Sequence, residues 1–311
     1  MCRKNPDFAR RVREIHGFSL CNVPRGPVLV PPSLPDFVPL LYHRTGLTRP
    51  VGTKAAAVPL YRLFDRKLGV SRFSTPQALA DAFSLAPGTV VLASGTDRDP
   101  PLERWWNLGE QARREIIRAI RAAGVGIVTT PNYSLFVDRP RWDDLHAIKR
   151  IAETYGEFLA EGMPAALHVN GRTEVDFYRW AEFIASRPEV THIAYEFTTG
   201  TGRAARCQQH ALWLRTLASQ VGRPLHLIVR GGTEVLPILA AAFTRITFID
   251  TSAFMKTIHR QSAHRRGLRA IAWKATPTEP GTPLDGLFED NTAVVAGWLT
   301  TLLQARAENA R

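Results

Sequence analysis

The stretch AALHVNGRTEVDFYRWAEFIASRPEVTHIAYEF (165–197) holds one complete repeat of the pattern that decides the fold. Its apolar run AALHV is followed by a polar turn, by a segment with apolar residues at helical spacing, and by a second β-rich run, THIAYEF. This spacing predicts an amphipathic helix between two buried strands. Such a strand–helix–strand unit predicts a parallel sheet with helices on both faces.

The same alternation continues on both sides of this repeat, from about Gly88 onward. Further strand-like runs are TVVLAS (89–94), GIVTT (126–130), LHLIV (225–229), ITFID (246–250) and a weaker RAIAW (269–273). Polar residues follow nearly every run, and in a closed barrel all of these strand ends meet at one mouth. In a doubly wound sheet, which is the alternative, they would gather mainly at one switch point. We therefore predict an α/β fold, a (β/α)8 barrel of the TIM type.

Residues 1–88 have a more irregular character than the rest of the chain. The segment PRGPVLVPPSLPDFVPLL (24–41) is rich in proline, which lacks the N–H group that a sheet ladder needs. A short helix is predicted in TPQALADAFSL (75–85), with Thr75 as its N-cap. The predicted organisation is an irregular, Pro-rich N-terminal extension over 1–88, packed on a catalytic barrel domain over 89–311.

Composition narrows the class of protein. The 311 residues are 45% hydrophobic and 22% charged, which is typical of a globular protein and excludes a disordered or collagen-like chain. Cys2, Cys21 and Cys207 are too scattered for a zinc pair or an iron–sulfur cluster, so no metal site and no cofactor is predicted. With no apolar run long enough to span a bilayer and no secretory signal, we expect a cytoplasmic protein without membrane contact.

The charge balance points to an anionic partner. The 40 Lys and Arg residues outnumber the 28 Asp and Glu residues, which leaves a net charge of +12. A basic run follows Asp250 and has only Glu279 to neutralise it before Asp285, so we expect it to contact nucleic-acid phosphates. The alternative is a solvated arginine-rich face. The predicted phosphate contacts are Lys256, His259, Arg260, Arg265 and Arg266.

Acidic residues at strand ends are the candidate catalytic groups. Asp250 ends the apolar run ITFID, where a carboxylate can act as a nucleophile or instead cap the following turn. Asp97 and Asp99 follow the first run of the predicted barrel, where they can serve acid–base or metal chemistry or only shape a turn. Glu196 is the last residue but one of THIAYEF, and its side chain faces either the barrel mouth or the surrounding helices.

Several polar and aromatic residues near the strand ends suit a nucleobase. The amide of Asn170 offers both a donor and an acceptor, and Asn132 is a similar candidate. Tyr133 can stack on a base or close the barrel, and His168 can face a ligand or be a core histidine. The turn with Gly200 and Gly202 presents backbone N–H groups to a base or phosphate, whereas no acid at the ribose spacing supports a dinucleotide.

Four segments in order resemble the tRNA-guanine transglycosylase superfamily, whose barrel enzymes exchange guanine for a 7-deazaguanine. They are VNGR (169–172), the turn 195–202, GTE (232–234) and FID (248–250), within a region of similarity over about 89–265. The resemblance implies that Asp250 is the nucleophile, that Asn170 reads the base and that the 198–202 turn contacts it. Asn132 corresponds roughly to a base-binding aspartate of the family. The acid of the family's first motif is absent from ASGT (93–96), and Asp97 is the candidate to replace it.

The chain also departs from that family. Asp250 falls one residue later after the phenylalanine, and the zinc-binding cysteines of the tRNA enzymes are absent, which resembles the divergent branch that modifies DNA. The implied reaction is attack of Asp250 on C1′ while guanine leaves, followed by attack of the 7-deazaguanine on the same carbon. The flipped base would be held by Tyr133, Trp105 or Trp106.

Three functions follow as expectations. The first is a transglycosylase that replaces guanine in DNA, or alternatively in tRNA, with a 7-deazaguanine derivative and with helper proteins as possible partners. The second is another nucleic-acid glycosidase or hydrolase that uses Asp97, Glu196 and Asp250. The third is a non-catalytic nucleic-acid-binding subunit of a modification or defence complex.

Overall fold

A computed structural model describes residues 7–65, 67–136, 138–198, 203–267 and 270–304. One sheet of eight parallel strands forms its centre. The strands are β1 (Phe37–Pro39), β2 (Ala55–Pro59), β3 (Val90–Ser94), β4 (Val125–Thr129), β5 (Ala165–His168), β6 (His192–Glu196), β7 (His226–Arg230) and β8 (Arg245–Asp250).

The sheet curves into a nearly closed barrel. Each strand from β2 to β8 pairs with the next one along the chain, and β8 pairs with β1, where Val38 lies opposite Ile249. A single parallel bridge between Leu40 and Ala57 joins β1 to β2, with the Leu41 N–H donating to the Ala57 carbonyl at 2.9 Å. The predicted α/β class is confirmed, and the arrangement agrees with a barrel of the TIM type.

Helices cover the outside of the barrel. They are α1 (Phe8–Glu14), α2 (Pro76–Phe83), α3 (Asp99–Asn107), α4 (Glu110–Ala122), α5 (Arg141–Ala160), α6 (Glu174–Ala185), α7 (Arg203–Val221), α8 (Leu236–Ala240), α9 (Ser252–Ile258) and α10 (Asp285–Gln304). Thr75 caps α2 by accepting the Ala78 N–H at 3.2 Å, as its sequence predicts. In the described ranges, helices with the length and apolar character to cross a bilayer are absent.

Side-chain alternation along the strands separates two cores. Inside the barrel, small residues pack with larger aliphatic ones such as Leu92, Ile127 and Ile228. Between the strands and the helices lies a larger core with many aromatic side chains. Because successive side chains point to opposite faces, a strand-end residue faces either the mouth or the helix layer according to its register. The small inward residues are Ala55, Ala57, Ala166 and Ala194.

The predicted boundary at residue 88 requires correction, since β1 and β2 precede it and belong to the barrel sheet. Proline does not prevent these two strands. Pro39 and Pro59 are the last residues of their strands, and the seam between β1 and β2 is closed by only one bridge. Their missing N–H groups therefore cost little ladder bonding. Between α1 and β1 the chain contains neither helix nor strand.

The run RAIAW is also corrected, because its described part belongs to a hairpin outside the barrel. Strand β9 (Gln261–Arg266) pairs antiparallel with β10 (Ala270–Ala275), and β9 packs on α10. Arg269 lies outside the described residues. The two remaining barrel strands, β1 and β2, come from the N-terminal region instead. Prolines there interrupt the residue pattern that would predict a strand.

The segment before β1 packs against the barrel helices, as predicted for the extension. Arg179 of α6 donates to the Phe18 carbonyl at 2.8 Å, and Arg187 donates to the Pro24 carbonyl at 3.2 Å. The Lys149 ammonium of α5, fully buried, donates to the Ser19 carbonyl at 2.8 Å. Donors on the helices therefore satisfy backbone carbonyls of a segment that has no ladder of its own.

Candidate functional site

A cavity of about 1370 Å³ opens at the carboxyl ends of the barrel strands. Its wall includes residues at or just after six of these ends: Pro59, Ser94, Asn132, Asn170, Glu196 and Arg230. Barrel enzymes place their chemistry at this end, and a pocket of this size can hold a nucleotide-sized ligand with room to spare. The cavity is therefore the candidate active site.

Glu196 and Arg230 form a polar pair across the mouth ends of β6 and β7. The two residues lie opposite each other in the sheet register, and Arg230 Nε is 3.4 Å from Glu196 Oε2. Glu196 has the same strand parity as the inward Ala194, so its side chain faces the mouth. Its Oε1 accepts the Thr198 N–H at 2.8 Å. The site thus holds a nearly buried carboxylate beside a guanidinium.

Two amide side chains line the same cavity as this pair. Asn170 follows β5, lines the cavity and donates through Nδ2 to the Tyr133 carbonyl at 3.0 Å. Asn132 also lines the cavity, and within the described ranges its buried Oδ1 has no hydrogen-bond partner. The structure therefore brings Asn132, Asn170 and Glu196 to one cavity. Their role in binding a base stays a prediction.

The loop after β3 contributes two more acids. Asp97 is exposed at the cavity, and its Oδ1 accepts the Arg98 N–H at 2.7 Å. Asp99 begins α3 and accepts a hydrogen bond from the Ser134 hydroxyl. Arginines are also part of the cavity wall, so anionic groups of a ligand would meet positive charge there. These arginines are Arg62, Arg98, Arg172, Arg206 and Arg230.

Asp250 does not line the cavity. Its side chain has the same parity as Phe248, which packs toward the helix layer, whereas Ile249 faces the barrel interior. Its carboxylate accepts the backbone N–H groups of Ser252 at 3.0 Å and Ala253 at 2.8 Å, at the start of α9. Burial raises the pKa of Asp250, and these hydrogen bonds oppose the rise. The geometry matches the helix-capping alternative.

Tyr133 and His168 are packed in the core rather than presented to a ligand. Tyr133 is fully buried, with the Arg150 guanidinium 4.0 Å from its ring centre. His168 Nδ1 lies 2.6 Å from the Thr130 carbonyl, and burial lowers the pKa of His168 to about 4. Trp105 is also fully buried. Of the predicted base-binding residues, Gly200 and Gly202 lie outside the described part of the chain.

The predicted phosphate contacts lie on α9, the turn after it, and the β9–β10 hairpin. Arg265 and Arg266 are exposed, and Arg265 donates to the Thr301 hydroxyl at 3.0 Å. Lys256 Nζ is 5.9 Å from the ring centre of Trp273. We call this the basic hairpin surface: Lys256, His259, Arg260, Arg265 and Arg266. None of these side chains forms an ion pair with another described residue.

One wall of the cavity was not anticipated from the sequence. Tyr195, Phe197, His210 and Trp213 line the side next to α6 and α7. His210 and Trp213 are three positions apart on α7, so they share a helix face, and this spacing is the signal that sequence reasoning could have used. We call these four residues the aromatic wall.

In the parts of the chain that the structure covers, three or more His, Cys, Asp or Glu side chains nowhere gather in a way that could hold a metal ion. No protein-family model and no curated protein matches the chain. The resemblance to guanine transglycosylases therefore rests on the quoted motifs.

Proposed function

We propose that the protein acts on the glycosidic bond of guanine in DNA, replacing the base with a 7-deazaguanine derivative. The observation that best supports this is the cavity at the barrel mouth, where Glu196 lies beside Arg230 and the amide of Asn170 lines the same cavity. A carboxylate, an adjacent cation and base-reading amides are the groups that such an exchange needs. tRNA is the alternative nucleic acid.

Glu196, rather than Asp250, is the proposed nucleophile. A Glu196 oxygen forms a bond to C1′ while the glycosidic C–N electron pair leaves with guanine, which takes a proton from water. The incoming base then gives up its ring N–H proton and attacks C1′, and the bond to Glu196 breaks. The Arg230 guanidinium stabilises the carboxylate before attack and after release.

The distribution of positive charge supports a nucleic-acid substrate. Arginines of the cavity wall are suited to phosphates near the reacting nucleotide, and the basic hairpin surface is suited to the backbone farther along the strand. Cations without a partner carboxylate, such as those of the basic hairpin surface, remain available to attract an external polyanion.

A second candidate function is base removal by hydrolysis. It is favoured by the position of Asp250 outside the cavity, because the family's nucleophile then has no direct counterpart. In this reaction Glu196 stabilises the positive charge on the sugar, and Asp97 activates water. Free guanine would leave without any incorporated base.

Glu196→Gln tests both reactions, with duplex and single-stranded DNA and a labelled 7-deazaguanine precursor as substrates. The wild-type protein should transfer label into DNA, and the variant should lose at least about 100-fold in rate, because the neutral amide cannot attack C1′. Glu115→Gln, which changes an exposed glutamate of α4 that does not line the cavity, is the matched control.

The products separate the possible outcomes. Incorporated label that depends on Glu196 supports exchange, whereas released guanine without label supports hydrolysis. DNA binding with neither product would contradict both reactions and favour a non-catalytic binding subunit.

A further inference from the structure

The aromatic wall gives one side of the cavity an apolar surface of packed rings. The rings of Tyr195 and Phe197 are 4.5 Å apart, and those of His210 and Trp213 are 5.0 Å apart with an interplanar angle of 33°. Phe177 packs behind them, 5.3 Å from Trp213. The rings are tilted against one another, by 56° between Tyr195 and Phe197 and by 71° between Tyr195 and His210. An aromatic wall of this kind favours a planar ligand, because stacking and edge contacts are available to every heteroaromatic base.

One hydrogen-bond donor is built into this wall. The Tyr195 hydroxyl is hydrogen-bonded to His210 Nδ1. Burial raises the pKa of Tyr195, so the phenol keeps its proton and donates it, which assigns Nδ1 as the acceptor. Burial and the neighbouring Arg206 lower the pKa of His210 to about 4, so the imidazole is neutral at pH 7. The remaining hydrogen is therefore on Nε2.

Nε2 of His210 is available to a ligand. His210 lines the cavity, and Nε2 has no hydrogen-bond partner in the described ranges. Tyr195 fixes both the tautomer and the orientation of the imidazole ring, so it acts as a positioning residue for this donor.

We infer that the aromatic wall is a purine subsite in which His210 Nε2–H donates to O6 of guanine. Guanine presents two acceptors on that edge, N7 and O6, whereas adenine presents N7 and an amino donor that would meet the N–H of His210. This inference rests on the proposed function, in which the bound base is guanine from DNA. It adds His210 and Tyr195 to the base-binding residues Asn132 and Asn170, and it explains why the subsite would prefer a 6-oxopurine.

Calorimetric titration of the full chain with 9-methylguanine and 9-methyladenine tests the subsite without any nucleic acid. We expect the guanine derivative to bind at least about ten-fold more tightly, because a mismatched edge loses one hydrogen bond and opposes two donors. His210→Phe should reduce this ratio to about one while keeping an aromatic ring in the wall. His210→Gln, whose amide nitrogen reaches a position near Nε2, should restore part of it.

Two further variants complete the test. Tyr195→Phe removes only the hydroxyl that orients His210, so we expect a lower guanine-to-adenine ratio with similar adenine affinity, a change that a purely structural role would not produce. His264→Phe makes the same substitution on the exposed face of the β9–β10 hairpin and should leave both affinities unchanged. Circular dichroism would show that each variant folds.

Three outcomes would contradict the proposed subsite. Wild-type protein that binds neither derivative, or that shows no preference between them, would overturn the subsite, as would an unchanged ratio in His210→Phe. The titration does not depend on Glu196 chemistry. Base binding without exchange or release would thus contradict the proposed reaction alone, and exchange with an unaltered ratio in the variants would contradict the subsite alone.

Discussion

Glu196 and Asp250 both end a barrel strand, yet their side chains face opposite sides of the sheet. Glu196 is two positions from the inward Ala194, whereas Asp250 is one position from the inward Ile249. A shift of one residue in register is enough to move a carboxylate from the mouth to the helix layer. In ITFID, Phe248 packs in the helix-facing core rather than among the small and aliphatic residues of the barrel interior. Asp250 is two positions later in the strand and therefore faces the same side as Phe248.

At the same scale, His226 should make stability depend on pH. Burial, with His192 and Arg245 nearby, lowers the pKa of His226 to about 3, and Nε2 lies 2.9 Å from the Thr247 hydroxyl. Below pH 6.5 the unfolded chain binds a proton that the folded chain excludes, so stability falls as the pH falls from 6.5 towards 3. Between pH 6.5 and 5 this one residue should remove about 1 to 2 kcal/mol.

Urea unfolding of the wild type and His226→Gln at pH 7 and pH 5 would measure this effect. The glutamine amide keeps a polar contact to Thr247 but does not titrate, so the variant should lose less stability than the wild type on acidification. Equal losses in the two proteins would show that His226 does not contribute to the pH dependence.

At the scale of the element, the carboxylate of Asp250 accepts hydrogen bonds from the N–H groups at the N-terminus of α9. We expect Asp250→Asn to lower the free energy of unfolding by about 1 to 2 kcal/mol, since the amide replaces one acceptor oxygen with a donor. Thr75→Ala, which removes the cap of α2, is a matched control for the loss of a cap. Denaturant unfolding combined with the base-exchange assay would compare both variants.

The exchange assay decides the role of Asp250. If Asp250 is a cap, the Asp250→Asn protein retains base exchange under conditions where it is folded. A fully folded variant without any exchange would restore Asp250 as the nucleophile and remove Glu196 from that role.

The basic hairpin surface predicts how DNA binding depends on salt. Each phosphate contact contributes about 0.9 to the slope of log K against log salt concentration, so Arg265→Ala with Arg266→Ala should make the slope shallower by about 2. Arg118→Ala with Arg121→Ala changes two exposed arginines of α4 and is the matched control. Fluorescence anisotropy at several salt concentrations gives the slopes, and equal slopes for all three proteins would exclude the hairpin as a phosphate contact.

At the scale of the whole molecule, the N-terminal segment is attached through side-chain donors of α5, of α6 and of the turn after α6, and Lys149 of α5 is fully buried. The Lys149 ammonium donates to the Ser19 carbonyl and to the Asn22 side chain, and it lies 3.6 Å from Glu153. Removing a buried charged donor leaves its partners unsatisfied inside the protein, which is more costly than losing an exposed contact.

We therefore expect Lys149→Met to lower the free energy of unfolding by about 3 kcal/mol and to speed tryptic cleavage at Arg25. Lys274→Met, at an exposed lysine of β10, should change neither quantity. Urea unfolding and timed proteolysis followed by mass spectrometry would measure both. Unchanged cleavage at Arg25 in the Lys149 variant would mean that other contacts hold the segment.

The sequence by itself determined the repeating units of the molecule, because a buried strand and an amphipathic helix each leave a local periodic pattern, as in the stretch from Ala165 to Phe197. It also named Asn170 and Glu196 as candidates, since polar residues at strand ends meet at the mouth of a barrel, but it left open which way Glu196 faces. Only the tertiary structure decided that β1 and β2 complete the barrel, that RAIAW belongs to an outer hairpin and that Asp250 caps α9. These outcomes depend on which distant strand becomes a neighbour and which sheet face each residue occupies, and non-local pairing leaves no short-range pattern in the chain.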